Sequence, residues 1–156
     1  MKLAEALIVR KDLGARLGQL TALFNSAAFV INGETPEFCA ADILREVEEK
    51  YAALEALNVK INQVNNATEV PGMGLNLMQA IAKRDLLKAR HATLSAMVGQ
   101  LSVRNRRYEF DRETKVTLAE GISIKEMQAT VDAVAREHRT LDVAIQAVGW
   151  TTEVPE

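Results

Sequence analysis

His91 and His138 are the only histidines in the chain, and each falls where a leucine-rich helical stripe calls for an apolar residue, with Asp142 one turn beyond His138. Two imidazoles and a carboxylate are a partial metal set or a proton-linked site. They under-fill a metal's coordination, however, so a hydrogen-bonded polar layer that fixes helix register is the reading with fewer demands. Arg10 and Arg84 interrupt apolar stripes in the same way. An always-charged guanidinium there requires a carboxylate, a carbonyl or a bound anion, and two such arginines would make a positive pocket for a small anionic ligand. Glu48 and Asp132 stand in equivalent places on two other helical segments and are the candidate acidic partners.

Other constellations carry less. Glu46 and Glu49 give an E-x-x-E spacing, but no E-x-x-D follows on the next helix, and Walker, Rossmann, zinc-protease and G-x-S-x-G signatures do not occur. No catalytic residue and no cofactor is therefore expected, and a binding or structural role is favoured over an enzyme. Arg104, Arg106, Arg107, Arg112 and Lys115 surround Tyr108 and Phe110 in a way that suggests nucleic-acid contact, yet Glu109, Asp111 and Glu113 cancel much of that field. With a net charge of -2, neither nucleic acid nor an acidic membrane is an expected partner.

The elements that position these residues come from an internal duplication. Lys2 to Ala28 and Asn76 to Ser102 align at one constant shift that matches Leu3 with Leu77, Ala6 with Ala80, Arg10 with Arg84, Leu13 with Leu87 and Leu20 with Leu94. The first segment reads as a helix to about Val30, ended by Asn32-Gly33. A second starts at Thr35-Pro36 and carries Ile43, Val47, Leu54, Leu57, Ile61 and Val64 to Asn65-Asn66. A third opens at Asn76 with Gln79 in a capping box. A fourth opens at Ser123 with Glu126, keeps an unbroken three-four stripe, and ends at Gly149. Between the last two, Tyr108, Phe110, Val116 and Leu118 alternate with polar residues, which allows a short β-arm near 108–122.

The two halves also finish alike, INQVNNATEVP (Ile61 to Pro71) matching IQAVGWTTEVP (Ile145 to Pro155). The expectation is a single all-α domain over 1–156, built from repeats 1–71 and 72–156 as long antiparallel hairpins in a four-helix bundle or coiled coil. The Thr-Glu-Val tails should dock on equivalent faces, with Trp150 covering one of them. Sparse aromatics, three prolines and eight glycines suit long helices. One cysteine, Cys39, leaves the fold independent of oxidation, and no export or membrane-spanning segment is read, so the cytoplasm is the expected compartment.

Leu3-Ala4-Glu5-Ala6-Leu7, Ile61-Asn62 to Asn65, Arg84-Asp85 and Trp150-Thr-Thr-Glu together resemble a family of small bacterial helical proteins that carry the name septicolysin. The resemblance spans essentially the whole chain. It implies a helical protein without an assigned activity and transfers no catalytic residue.

Association is a further expectation. Leu17 to Gly33 and Ala92 to Val103 are uncharged around their whole circumference, and helices of that kind are usually covered on all sides. Phe24, Phe29, Ile31, Met97 and Val103 are the candidate contacts of a homo-oligomer. The function read from the sequence is thus an oligomeric helical interaction or structural module, open to a protein partner. The alternative is a small-ligand or metal-binding protein that uses the polar residues of the bundle core.

Overall fold

Leu3 and Leu77, matched by the duplication, each open a long helix. The computed structural model describes residues 1–30, 33, 38–109 and 117–155, with nothing said of the side chains of 105–109. The fold is all-α, with helices α1 (Leu3–Ala27), α2 (Ala40–Ala67), α3 (Leu77–Glu109) and α4 (Ile124–Thr151). Two-residue strands β1 (Glu69–Val70) and β2 (Leu75–Asn76) pair between α2 and α3.

Helix starts follow local chemistry. The Gln79 amide donates to Asn76 Oδ1 at 2.8 Å and the Asn76 amide to Gln79 Oε1 at 3.0 Å, the reciprocal box expected at α3. At α4 the Glu126 amide donates to Ser123 Oγ at 3.3 Å. At α1 the Lys2 amide donates to Glu5 Oε2 at 2.7 Å. The turn between β1 and β2 places Gly72 and Gly74 at φ of 74° and 62°, a region in which a side chain would be strained.

The chain divides into two compact units, Met1–Glu69 with Gln146–Glu156, and Val70–Ile145. In the first, α1 and α2 run antiparallel. Leu20, Ala27 and Ile43 are buried together under Leu23, Phe24, Ala40 and Val47, while Val9 and Leu13 lie beside Ala53 and Lys60 further along. In the second, α3 and α4 meet at the Lys83–Glu137 ion pair and at a cavity shared by His91 and His138.

The duplication is visible in what is buried. Leu3 and Leu77, Ala6 and Ala80, Leu57 and Leu141, Ile61 and Ile145, Val64 and Val148, and Val70 and Val154 are buried in matching pairs. It is also visible in pairing. Lys2 bridges Glu153 antiparallel, flanked by Leu3 N donating to Thr152 O at 2.9 Å and Val154 N to Met1 O at 2.8 Å. Lys2 corresponds to Asn76 in β2, and Glu153 to Glu69 in β1, so the head of each repeat pairs with the tail of the other.

Several local expectations are corrected. Helix α1 stops at Ala27, short of Val30; the Ala28 amide makes the last helical bond, to Phe24 O at 2.8 Å, and Ser26 Oγ donates to the Leu23 carbonyl within the final turn. Helix α4 passes through Gly149 to Thr151. In the stretch read as a β-arm, Tyr108 and Glu109 belong to α3 and residues 117–122 form no strand. The run from Arg104 to Glu109 has no glycine or proline to stop a helix. Phe110, Arg112, Lys115 and Val116 lie outside the described residues, as do Ile31, Asn32 and the Thr35-Pro36 start signal. Trp150 is 58% exposed, and in the tail that follows it Val154 is buried.

Candidate functional site

Helices α3 and α4 each present one turn of polar side chains to a common cavity of about 230 Å³. Lys88 and His91 come from α3, and Ala135, His138 and Arg139 from α4. Spacings of three and four residues put each set on one helix face. Both histidines are half-buried, while Lys88 and Arg139 reach the cavity from the exposed rim. Four of the five described lining residues are cationic or imidazole side chains, and none is a carboxylate. Among the described residues, these four make no ion pair or hydrogen bond.

The neighbouring acids are engaged elsewhere. Glu137 Oε1 lies 2.7 Å from Lys83 Nζ. Asp142 Oδ1 lies 3.6 Å from Arg84 Nη1, and Arg84 also donates from Nε and Nη2 to Asp85 Oδ1 at 3.0 and 2.8 Å. The two histidines therefore come together as their stripe positions suggest, whereas Asp142 belongs to an arginine. Among the described residues, no three histidine, cysteine or acidic groups are placed to hold a metal ion.

The arginine pair behaves asymmetrically. Arg84, with its side chain 28% exposed, is held by two aspartates. Arg10 is exposed, its long stem letting the guanidinium leave the stripe for water. Asn58 stands where the second repeat has Asp142, and Lys11 where it has Asp85, so the acids that hold Arg84 have no counterpart beside Arg10. Neither arginine is among the described residues lining the cavity. Of the acids expected to meet them, Asp132 accepts from Gln128 Nε2 at 3.0 Å, and Glu48 lines an exposed groove along α2.

The carboxylate that does meet α1 is Glu46. Arg16 donates to it through Nε at 2.9 Å and Nη2 at 3.1 Å, a two-point ion pair that ties α1 to α2. That hydrogen bonding from Arg16 holds the Glu46 carboxyl below its ordinary range and raises the Arg16 guanidinium. The pairing was missed at the sequence level because Arg16 matches Arg90 in the duplication while Glu46 matches Thr130, so the repeat pattern hides it.

Aligning α2 with α4 at the shift that carries Leu57 onto Leu141 reveals what is special about the cavity. The positions of Lys88, His91, Ala135, His138 and Arg139 are Gly14, Leu17, Tyr51, Leu54 and Glu55 in the first repeat. All five differ. A site that is neutral or acidic in one copy has become cationic in the other, on the same hairpin frame. That alignment is the signal from which Lys88 and Arg139 follow.

Of the proposed contact residues, Phe29 is 76% exposed, and Met97 and Val103 are also exposed. Phe24 is partly buried against Leu20, Ala27 and Ile43, and Ile31 lies outside the described residues.

Fold and cavity together define a class: an all-α protein of long helices with a cationic cavity between α3 and α4. The chain belongs to a family of unknown function, DUF6847, whose model matches residues 10–154. It is similar at 32% identity, over 99% of both chains and with a TM-score of 0.86, to a functionally unknown conserved protein from Corynebacterium diphtheriae known from its crystal structure. No curated protein matches it.

Proposed function

We propose that this protein is a helical binding module whose second hairpin takes a small oxyanion, a phosphate or a carboxylate of similar size, between His91 and His138. One observation carries the reading: Lys88, His91, His138 and Arg139 converge on a cavity with no carboxylate among its described lining residues. Like charges brought together without a counter-ion repel, and an anion removes that cost. Arg139 supplies a fork of donors, Lys88 a point charge, and each histidine a ring N–H. Arg84 serves the site indirectly, because by engaging Asp142 and Asp85 it keeps those acids from filling the anion's place. Calorimetry with inorganic phosphate tests this. Saturable binding that disappears in the Lys88→Ala, Arg139→Ala double variant is expected, and phosphate binding that is absent or untouched by the double substitution rejects it.

A second reading, an oligomeric interaction module, is supported by the exposed apolar side chains Phe29, Met97 and Val103 within the uncharged runs 17–33 and 92–103. Light scattering at about 10 μM protein decides it: a mass of two or more copies, reduced by Phe29→Ser, is the expected result. The exposed, unbonded thiol of Cys39 fits a reducing compartment such as the cytoplasm. The likeness to proteins named septicolysin adds no activity to either reading, and among the described residues no helix is long and apolar enough to cross a membrane.

A further inference from the structure

The first hairpin contains a cavity of different chemistry. About 310 Å³ of space lies between α1, α2 and the tail at 154–155, walled by Val9, Leu13, Ala53, Ala56 and Val154. Lys60, half-buried, is the one charged side chain among its described lining residues, and Met1 brings the terminal ammonium, which is already engaged in donating to Val154 O at 3.3 Å. Lys60 makes no ion pair or hydrogen bond among the described residues. The tail acid Glu153 is already taken by Lys2, at 2.8 Å.

The second repeat shows what the same frame does when such a space is crossed. Val9 and Ala53 correspond there to Lys83 and Glu137, which are bonded to each other at 2.7 Å. Ala56 corresponds to Thr140 and Lys60 to Ala144. In the first repeat two small apolar side chains stand where the second has the crossing ion pair, and a cation stands about two turns further along α2. An apolar cavity with one unpaired ammonium selects an apolar body bearing one negative group. From this we infer that the first hairpin binds a straight-chain carboxylic acid of about eight carbons, its carboxylate at Lys60 and its chain against Leu13, Ala53 and Val154. This site is independent of the anion site in the second hairpin.

The test is calorimetry on the full chain with sodium butanoate, sodium octanoate and octan-1-ol, each below its aggregation threshold. Octanoate should bind saturably, one per chain, and affinity should rise roughly fourfold per methylene between butanoate and octanoate as each methylene is withdrawn from water. Octan-1-ol should bind about tenfold more weakly, because it offers Lys60 no charge. Lys60→Met should bind octanoate and octan-1-ol alike, and Ala56→Phe, which fills the space, should bind neither. Because Ala56→Phe risks misfolding, Lys60→Met, with its helical circular dichroism and melting checked, decides alone. The Lys88→Ala, Arg139→Ala variant should bind octanoate like the parent, which separates this site from the other. Absence of saturable octanoate binding, or octanoate affinity unchanged in Lys60→Met, overturns the inference.

Discussion

Glu46 illustrates how a single residue adds pH dependence to the fold. Its carboxyl is held below the ordinary value of 4.5 by hydrogen bonds from Arg16. A group depressed in the folded state contributes stability that is fully present above its unfolded value and is lost as pH falls through the lower folded value. Arg16 stays charged throughout, so the acid limb belongs to Glu46. The stability gap between the parent and Glu46→Gln should therefore be constant near neutrality and close in acid, as followed by urea denaturation at about pH 7 and about pH 3. A gap that persists unchanged in acid would show that the substitution acts through something other than this ion pair. Glu153, held low by the hydrogen bond from Lys2, works in the same direction, and Glu153→Gln is the matching control at the other end of α1.

At the scale of the element, the helices were legible wherever a side chain and a backbone amide settle the matter locally. Asn76 with Gln79 specified the start of α3, and Ser123 that of α4, because those bonds form within three residues. Asn76→Ala should cost about 1 kcal/mol in chemical denaturation. The end of α1 and the described ends of the 108–122 segment were less legible. Residues 28–30 carry no glycine, proline or capping side chain to mark a stop, and Tyr108 and Glu109 continue α3 because no glycine or proline stands between Arg104 and Glu109. Gly14 and Gly18 sit inside α1, and a methyl group at either would meet nothing within 4 Å. Each glycine leaves the unfolded chain more freedom than alanine would, so Gly14→Ala and Gly18→Ala should each add about 0.5–1 kcal/mol of stability, read from the denaturation midpoint. A loss at Gly18, which lies in the uncharged run, with a gain at Gly14, which does not, would instead point to a covered surface at Gly18.

Across the whole molecule, duplication was legible because leucine and alanine recur at fixed spacing, and the buried pairs Leu3 with Leu77 and Ile61 with Ile145 follow it. The candidate sites were only half legible, for the converse reason. His91 and His138 stood out as polar breaks in a seam, and they do share a cavity. Lys88, Arg139 and Lys60 lie on faces where charge is ordinary, so their role emerges only when each copy is compared with the other. Arg10 looked equivalent to Arg84 by position, yet equivalence of position does not carry over to partners that have diverged, as Asn58 has from Asp142.

The pairing of Lys2 with Glu153 has a consequence for connectivity. Residues 152–154 run beside residues 1–3, and 69–70 pair with 75–76. Bridging Pro155 to Met1 with a short glycine-containing linker, and cutting between Gly72 and Met73 instead, should give a circularly permuted chain with the same helical circular dichroism and cooperative melting. Cooperative melting of the permuted chain would show that this bridge brings the two segments together without depending on which of them is covalently joined.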